Sequence, residues 1–118
     1  MQRFTMVAIG RTSGMPREVT LYGFEDGGGL VIVGSNGGKP ADPAWVANVR
    51  ANPAVSVRTG RRERPMRAHE VHGDERARCW EVAVAGFPLY RTYAARTDRP
   101  IPVFVLEPVA GDGAEGGP

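Results

Sequence analysis

The first half of the chain alternates short apolar runs with glycine-rich turns. Apolar or alternating runs occupy residues 5–9, 17–24 and 30–33, and a glycine-containing loop follows each of them. Short runs bounded by turn residues predict β-strands. The Asp-Gly-Gly-Gly sequence at 26–29 supplies the positive φ angles of a tight hairpin. The run at 30–33 is apolar throughout, which predicts a strand buried on both faces.

Helical periodicity begins after the second glycine loop. Asp42 and Pro43 predict a helix start, with Asp42 as the N-cap and Pro43 at the first helical position. Trp45, Val46 and Val49 share one face of this helix. Residues 54–59 and 64–71 then predict a hairpin, in which Pro65 indicates an edge strand.

The last third of the chain predicts two more helices and one strand. Asp74 is expected to cap the second helix, whose apolar face is expected to contain Ala77, Trp80, Val84 and Phe87. Residues 89–97 predict a shorter helix and 102–106 a final buried strand. The glycine-rich tail, 110–118, has nothing to bury and is expected to be disordered.

These elements predict the α+β class, with about six mainly antiparallel strands and two or three helices in one domain, 1–109. Regular helical crossovers between strands are missing, so an antiparallel barrel is favoured over a doubly wound parallel sheet. A length of 118 residues fits one core. Hydrophobic residues make up 42% of the chain and charged residues 24%, which is ordinary globular composition.

Several function classes are disfavoured by the composition. The net charge of +2 is weak for a nucleic-acid binder. No apolar run approaches the length of a membrane span, and no signal peptide is evident, so a cytoplasmic location is expected. Cys79 is alone and is expected to fill the core. His69 and His72 lie three apart on a predicted strand, so no metal site is expected.

One stretch of basic residues leaves a nucleic-acid alternative open. Residues 58–67 are rich in arginine, yet they lack interleaved aromatic residues and contain Glu63. A solvated hairpin is the favoured interpretation of this stretch, and RNA binding is the alternative.

The loop between the first two predicted strands has the composition of an anion site. It contains Arg11, Thr12, Ser13, Gly14 and Arg17. The backbone N–H groups of such a turn can converge on an anion, and the guanidinium groups can grip it from the sides. The alternative is a surface hairpin with solvated arginines.

Two further features are typical of a site for a flat ligand. Glycines in the loop 34–38, around Ser35 and Asn36, allow a ring to approach the backbone closely. Phe87, Tyr90 and Tyr93 recur every three residues and can cover a conjugated ring while offering phenol donors. The alternatives are a plain turn and the core packing of a short helix.

The order of the motifs resembles a known family. The chain contains Gly10-Arg11-Thr12-Ser13-Gly14-x-Pro16-Arg17, Ser35-Asn36-Gly37-Gly38, Pro43-x-Trp45-x-x-Asn48-x-x-Ala51-Asn52-Pro53, Tyr90-x-x-Tyr93, Thr97-Asp98-Arg99 and Ile101-Pro102-Val103. This set, from about residue 5 to 108, resembles the deazaflavin-dependent nitroreductase family, which uses coenzyme F-420.

The resemblance implies a split β-barrel of the FMN-binding type and an oxidoreductase. The enzyme would transfer a hydride from reduced F-420 to a small acceptor such as a quinone, a nitroaromatic compound or an activated enone. It implies phosphate and acidic-tail binding by Arg11, Ser13 and Arg17, with Thr12 and Gly14 in the same loop, and Tyr22 near that end. The resemblance implies that the deazaflavin ring contacts Val33, Gly34, Ser35 and Asn36, and that Trp45 lies beside the pocket. It also implies that Tyr90 and Tyr93 shape the substrate side, and that Tyr90 or Ser35 delivers the proton.

The chain departs from the family pattern at three places. The family often has lysine at the position of Thr12 and a bulkier or basic residue at that of Asn36. Loss of a cation is expected to weaken the grip on the phosphate by about 1–2 kcal/mol. Phe87 replaces the usual first tyrosine of the cluster. The family's leading helix is missing before the first strand, so an open groove and no membrane anchor are expected, unless the start codon is misassigned.

Besides RNA binding, two alternatives to the F-420 enzyme remain. One is an FMN-binding oxidoreductase on the same barrel, and the other is a non-catalytic protein that binds a cofactor or a lipid. The acceptor and the direction of hydride flow stay open. The chain is expected to be a monomer or a homodimer, because exposed strand edges often pair.

Overall fold

A computed structural model describes residues 1–109 of the chain. The strands are β1 Gln2–Ile9, β2 Pro16–Asp26, β3 Gly29–Val33, β4 Ala54–Thr59, β5 Arg62–Glu70 and β6 Val103–Pro108, and the α-helices are α1 Ala44–Ala51, α2 Gly73–Gly86 and α3 Leu89–Ala95. A single 3-10 turn, Asn36–Gly38, follows β3. The predicted disordered tail, 110–118, lies outside the described residues.

The six strands close into one antiparallel barrel. Their order around the barrel is β1-β2-β3-β6-β5-β4, and β4 pairs with β1 to close it. The longest ladder joins β1 to β2, from Gln2 opposite Gly23 to Ile9 opposite Pro16. The predicted α+β class and the antiparallel barrel are therefore confirmed.

Two hydrophobic layers hold the fold together. The inner layer fills the barrel with side chains from all six strands and from α1. Its largest fully buried members include Phe104, Met6, Ile32, Met66 and Leu106. The outer layer lies between the β3–β6 face of the barrel and helices α2 and α3. Because β3 contributes to both layers, all five of its residues are buried, as its apolar sequence predicted.

Both predicted helix caps are wrong. Helix α1 begins at Ala44, with Pro43 preceding it and no side-chain cap. The Asp42 carboxylate accepts a hydrogen bond from Arg99 at 2.6 Å instead. Helix α2 begins at Gly73, so Asp74 lies in its first turn, where its charge still favours the helix dipole.

The predicted buried face of α2 is also wrong in part. The fully buried residues are Cys79, Ala83 and Val84, whereas Ala77 is exposed. Trp80 and Phe87 are half-buried and pack at the margin of the outer layer. The small side chains of Cys79 and Ala83 pack in the outer layer with Val31 and Val33 of β3.

The edge-strand prediction for Pro65 is wrong, since β5 pairs on both sides. Pro65 lies opposite Ser56 of β4, and the pairing of β5 with β6 begins one residue later, at Met66. The missing N–H of Pro65 therefore lies just outside the second ladder, which explains why proline is tolerated in a paired strand.

Candidate functional site

Two adjoining clefts lie along β2 and the start of α1. The first, the arginine cleft, has a volume of about 530 Å³ and is lined by the loop between β1 and β2. The second, the tyrosine cleft, has a volume of about 470 Å³ and is lined by β2, the end of β3 and the segment after it. Val19, Pro43 and Trp45 line both clefts, so the two form one groove.

The loop of the arginine cleft is closed by backbone bonds and held by one buried amide. The N–H of Gly10 donates to the carbonyl of Met15 at 2.8 Å, which closes residues 10–15 into a compact turn. Asn48, which is 7% exposed, accepts hydrogen bonds from the Arg11 N–H at 3.0 Å and from Arg11 Nη1 at 3.4 Å. Helix α1 therefore fixes the backbone of the loop at Arg11.

The arginine cleft carries positive charge without a matching acid. Within residues 1–109, no carboxylate lies within 4.0 Å of Arg11 or Arg17. Arg17 Nη2 contacts only the Ser13 hydroxyl, at 3.4 Å. Glu18 also lines the cleft, but its carboxylate is paired with Arg58 at 2.7 Å. The cleft is therefore suited to an anion that supplies its own negative charge.

The tyrosine cleft is mostly neutral and partly apolar. Its walls include Leu21, Ile32, Val33 and Trp45, and its polar residues include Tyr22, Thr20, Ser35, Asn36 and Tyr90. Among the residues the structure describes, Lys39 is the one charged residue that lines it. A flat conjugated ring with polar edges matches such a lining.

One arginine organises the segment from Gly34 to Asp42. The Arg99 side chain is 13% exposed and donates to four acceptors of this segment. Nη2 donates to the Ser35 carbonyl at 2.7 Å, Nε to the Lys39 carbonyl at 2.9 Å, and Nη1 to the Asp42 carboxylate at 2.6 Å and the Gly34 carbonyl at 3.3 Å. Arg99 therefore fixes the backbone of this wall of the tyrosine cleft, although it does not line the cleft itself.

Tyr90 lies where the outer layer meets the tyrosine cleft. The residue is 7% exposed and makes edge contacts with Phe24 and Phe87, at ring-centroid distances of 5.9 Å and 4.9 Å. Burial, with a smaller contribution from Tyr93, raises the pKa of the Tyr90 phenol to about 12. The hydroxyl therefore keeps its proton at neutral pH and is available as a donor.

Most of the predicted site residues meet in this groove. Arg11, Thr12, Ser13 and Arg17 line the arginine cleft, while Tyr22, Val33, Ser35, Asn36 and Tyr90 line the tyrosine cleft, and Trp45 lines both. Gly14, Gly34 and Tyr93 line neither cleft.

The three remaining residues support the groove without lining it, through backbone conformation or packing. Gly14 adopts a φ of +70° in the turn. Gly34 lies against α1, because a Cβ there would be 2.9 Å from Val46. Tyr93 packs against Tyr90, with a centroid distance of 6.4 Å.

Several residues that line the groove were not predicted as site residues, and two of them, Lys39 and Asn48, bear on its chemistry. Asn48 had a usable signal, since an amide three residues after Trp45 falls on the buried face of an amphipathic helix. Lys39 had a weaker signal, as the single lysine of the chain. Its place in the tyrosine cleft depends on the turn after β3, which the sequence pattern did not specify.

Other chemistry is not supported by the described residues. Within 1–109, no group of three His, Cys, Asp or Glu residues is placed to hold a metal ion. Cys79 is fully buried, and burial raises the pKa of its thiol, so its predicted role as core filler is confirmed. No helix in this part of the chain has the length and apolarity required to cross a bilayer.

Nearly the whole described chain matches one known protein family. The model of the family described as F420H(2)-dependent quinone reductase matches residues 2–108. The chain belongs to this family. Membership in the F420H(2)-dependent quinone reductase family confirms the predicted oxidoreductase class and its coenzyme, F-420.

Individual relatives agree with the F420H(2)-dependent quinone reductase assignment. An F420H(2)-dependent quinone reductase of Mycobacterium tuberculosis is 37% identical over 100 residues, which cover 82% of this chain and 67% of that protein. A solved structure described as F420-H2 dependent reductase FDR-A superposes with a TM-score of 0.81 at 42% identity, covering 89% of this chain and 93% of that one. Another solved chain, described as a domain-swapped dimer, is also 42% identical with a TM-score of 0.81, covering 89% of this chain and 79% of its own.

The groove fits the coenzyme of the F420H(2)-dependent quinone reductase family. Coenzyme F-420 is polyanionic at one end and flat at the other. The arginine cleft offers two guanidinium groups without acid partners, and the tyrosine cleft offers apolar walls with hydroxyl and amide groups. The donor set therefore matches both halves of the molecule.

Proposed function

We propose that the chain reduces a quinone with reduced F-420, and that the coenzyme lies along the whole groove. In this proposal, the phosphate and acidic tail bind in the arginine cleft and the deazaflavin ring binds in the tyrosine cleft. The observation that carries the proposal is the division of charge. Two arginines without a carboxylate partner among residues 1–109 line one cleft, and a mostly neutral wall lines the other.

The arginine cleft would bind the anionic end through Arg11, Ser13 and Arg17. Arg11 is anchored through its backbone and side chain to Asn48, at 3.0 Å and 3.4 Å. Arg17 makes only the long contact to Ser13 and is exposed, so its guanidinium can reorient toward a phosphate. Thr12 lines the same cleft and can add a hydroxyl donor. Charge-assisted bonds of this kind are the stronger class of hydrogen bond.

The tyrosine cleft would hold the ring between backbone and aromatic walls. Ser35 is 8% exposed, and its carbonyl is occupied by Arg99, so the residue has a fixed position beside the ring. The Asn36 amide donates to the Ala41 carbonyl at 2.9 Å, which fixes the turn. Lys39 supplies the one cation of this cleft. When bound, the deazaflavin supplies the hydride, and the protein contributes position and polarity.

Tyr90 would donate the hydrogen bond that stabilises charge developing on the acceptor oxygen. Its phenol has a pKa raised to about 12, so it is protonated throughout the physiological range. Quinone reduction places negative charge on a carbonyl oxygen, and a fixed donor at that point lowers the barrier. Ser35 offers a second hydroxyl in the same cleft.

The proposal also includes a cytoplasmic location and a monomer or homodimer as the active form. The single, buried thiol is consistent with a reducing compartment. The domain-swapped relative supports testing the oligomeric state by light scattering at the concentration used for assays.

A titration with oxidised F-420, followed by its fluorescence with FMN as the competitor, tests the cofactor. The same protein is then mixed with reduced F-420 and menadione, and the absorbance of oxidised F-420 is recorded. Saturable binding that FMN does not displace, followed by reoxidation of F-420, supports the proposal. Displacement by FMN would indicate the flavin alternative, and tight F-420 binding without turnover would indicate a non-catalytic binder.

A further inference from the structure

We propose that Arg99 is a positioning residue that sets the geometry of the tyrosine cleft and thereby the affinity for the deazaflavin ring. This inference rests on the proposed function, because it assumes that the ring lies in that cleft. Arg99 lines neither cleft itself, and it is placed behind the wall that the ring would touch.

The guanidinium of Arg99 replaces the hydrogen bonds that a regular element would provide. Residues 34–42 join β3 to α1, and only the short turn Asn36–Gly38 within them is helical. The carbonyl oxygens of Gly34, Ser35 and Lys39 all accept from Arg99, at 3.3, 2.7 and 2.9 Å. One side chain thus fixes both ends of the segment that carries Ser35 and Asn36.

The charge of Arg99 is itself held by a carboxylate of the same segment. Asp42 Oδ1 lies 2.6 Å from Arg99 Nη1, and Asp42 Oδ2 lies 3.6 Å from Arg50 Nη1. Arg50 in turn makes a two-point contact with Glu70, at 2.9 and 2.8 Å. The segment is therefore tied to α1 and to β5 through Asp42.

The same segment is pressed against α3, which carries Tyr90. Gly38 has a φ of +80°, and a Cβ at this position would lie 2.7 Å from the Tyr93 carbonyl oxygen and 3.0 Å from Arg96 Cβ. Arg99 lies four residues after Ala95, the last residue of α3, so it connects the Ser35 side of the cleft to the Tyr90 side. Because hydride transfer requires near-contact geometry, a shift between these two sides is expected to affect binding and turnover together.

The guanidinium group is required because its five donors form a planar fork. A lysine at this position has the charge but presents it as a point, so it cannot reach the four acceptors simultaneously. We expect Arg99→Ala to raise the Kd for F-420 about ten-fold or more, and Arg99→Lys to raise it by an intermediate factor. Arg78→Ala is the matched control, because Arg78 also forms a 2.6 Å ion pair, with Asp26, and neither residue lines the clefts.

The test measures the Kd for oxidised F-420 and the thermal unfolding of wild type, Arg99→Ala, Arg99→Gln, Arg99→Lys and Arg78→Ala. Each titration is repeated with methylguanidinium at millimolar concentration. The proposal expects the Kd of Arg99→Ala to fall several-fold on addition of methylguanidinium, whereas wild type and Arg78→Ala are unchanged. A residue that only stabilised the fold would show no such rescue of binding in an already folded variant.

Several results would overturn the positioning role. One is a folded Arg99→Ala whose Kd for F-420 is within two-fold of wild type. The others are an equal loss of F-420 affinity in Arg78→Ala, or a loss of affinity in Arg99→Ala that methylguanidinium does not reverse. If Arg99→Ala does not fold, Arg99→Gln is judged by the same criteria. A wild-type protein that does not bind F-420 would instead contradict the proposed function, so the two failures are distinguishable.

Discussion

The two glycine-containing loops of the groove are built in opposite ways. The loop at residues 10–17 is exposed from Arg11 onward, and its arginine side chains make only hydrogen bonds of 3.4 Å. The segment at residues 34–42 includes the buried Ser35, and four donor contacts from Arg99 hold it. One loop carries its charge on exposed side chains with long hydrogen bonds of 3.4 Å, whereas Arg99 holds the backbone of the other.

This difference corresponds to what each half of the coenzyme requires. A phosphate and an acidic tail are recognised by charge, which tolerates several geometries. A ring that gives up a hydride must lie at near-contact distance from its acceptor, so its binding wall has to be fixed before the ligand arrives. In the proposed binding mode, the groove would therefore combine an adaptable anion end with a preorganised ring end.

The largest effect is expected from the adaptable loop. Replacing Arg11 and Arg17 together with alanine removes two charge-assisted contacts, which should lower F-420 affinity by roughly 10²-fold or more. The fluorescence titration should also show a weaker dependence on salt than in wild type. Arg61→Ala combined with Arg62→Ala on the β4–β5 hairpin serves as the control, and equal losses in the two pairs would contradict the assignment of the anion end.

The next largest effect is expected in the tyrosine cleft, at Tyr90. Tyr90→Phe removes one hydroxyl and should lower kcat for menadione reduction by about 10²-fold while F-420 affinity changes little. Because the pKa of Tyr90 is raised to about 12, the wild-type rate should show no titration of this phenol below pH 10. An unchanged kcat in the variant would remove Tyr90 from proton delivery and leave Ser35 as the candidate.

The same tyrosine predicts a change in stability at alkaline pH. Its pKa is raised above the ordinary value of 10.0, so the folded state favours the neutral phenol. This stabilisation is complete below pH 10 and is lost as the pH rises through about 12. Urea unfolding should therefore show wild type losing more stability than Tyr90→Phe over that range. A parallel decline in both proteins would contradict the buried position of the hydroxyl.

A matched pair of glycines compares the two loops directly. Gly14 and Gly38 both have positive φ angles, of +70° and +80°, but a Cβ at Gly14 meets nothing within 4 Å, while one at Gly38 clashes with the Tyr93 carbonyl. Gly14→Ala should cost about 1 kcal/mol from backbone strain alone, and Gly38→Ala about 2–3 kcal/mol. The unfolding free energies of the two variants are measured by urea titration. An equal loss of stability in both variants would mean that the segment 34–42 is not packed against α3.

The smallest effect is expected at the outer support of the rigid segment. The hydrogen bond from Arg50 lowers the pKa of Glu70, so this carboxylate contributes stability above its unfolded pKa and loses it as the pH falls through the lowered value. Glu70→Gln should reduce the unfolding free energy by less than about 1 kcal/mol at pH 7, because the pair is partly exposed. A difference that persisted in acid would argue against the ion pair as its cause.

Much of the fold was predictable because the barrel strands are separated by strong turn signals. The hairpin predicted across residues 26–29 is present, since β2 pairs with β3, and the uniformly apolar run 30–33 is buried as predicted. The start of α1 was not predictable. Asp42 is a residue type that often caps helices, but its carboxylate instead accepts a hydrogen bond from Arg99, 57 positions away in the chain. Local propensity cannot anticipate such a distant partner.

The site was predictable where its chemistry lies in side chains of one loop. Arg11, Ser13 and Arg17 lie within seven positions of the sequence and line one cleft. Asn48 and Arg99 act on these loops from other elements, so their roles appear only when the chain is folded. The contribution of Lys39 likewise depends on the turn at Asn36–Gly38, whose Asn-Gly-Gly sequence permits its positive φ angles but does not specify where Lys39 is placed.

The most direct test of the account compares two ligands on two proteins. Wild type and the Arg11→Ala/Arg17→Ala variant are titrated with F-420 and with its phosphate-free, tail-free deazaflavin core. The account predicts that the variant loses affinity for F-420 by roughly 10²-fold but binds the core as wild type does, since the core contacts only the tyrosine cleft. An equal loss for both ligands would contradict the division of the groove into an anion end and a ring end.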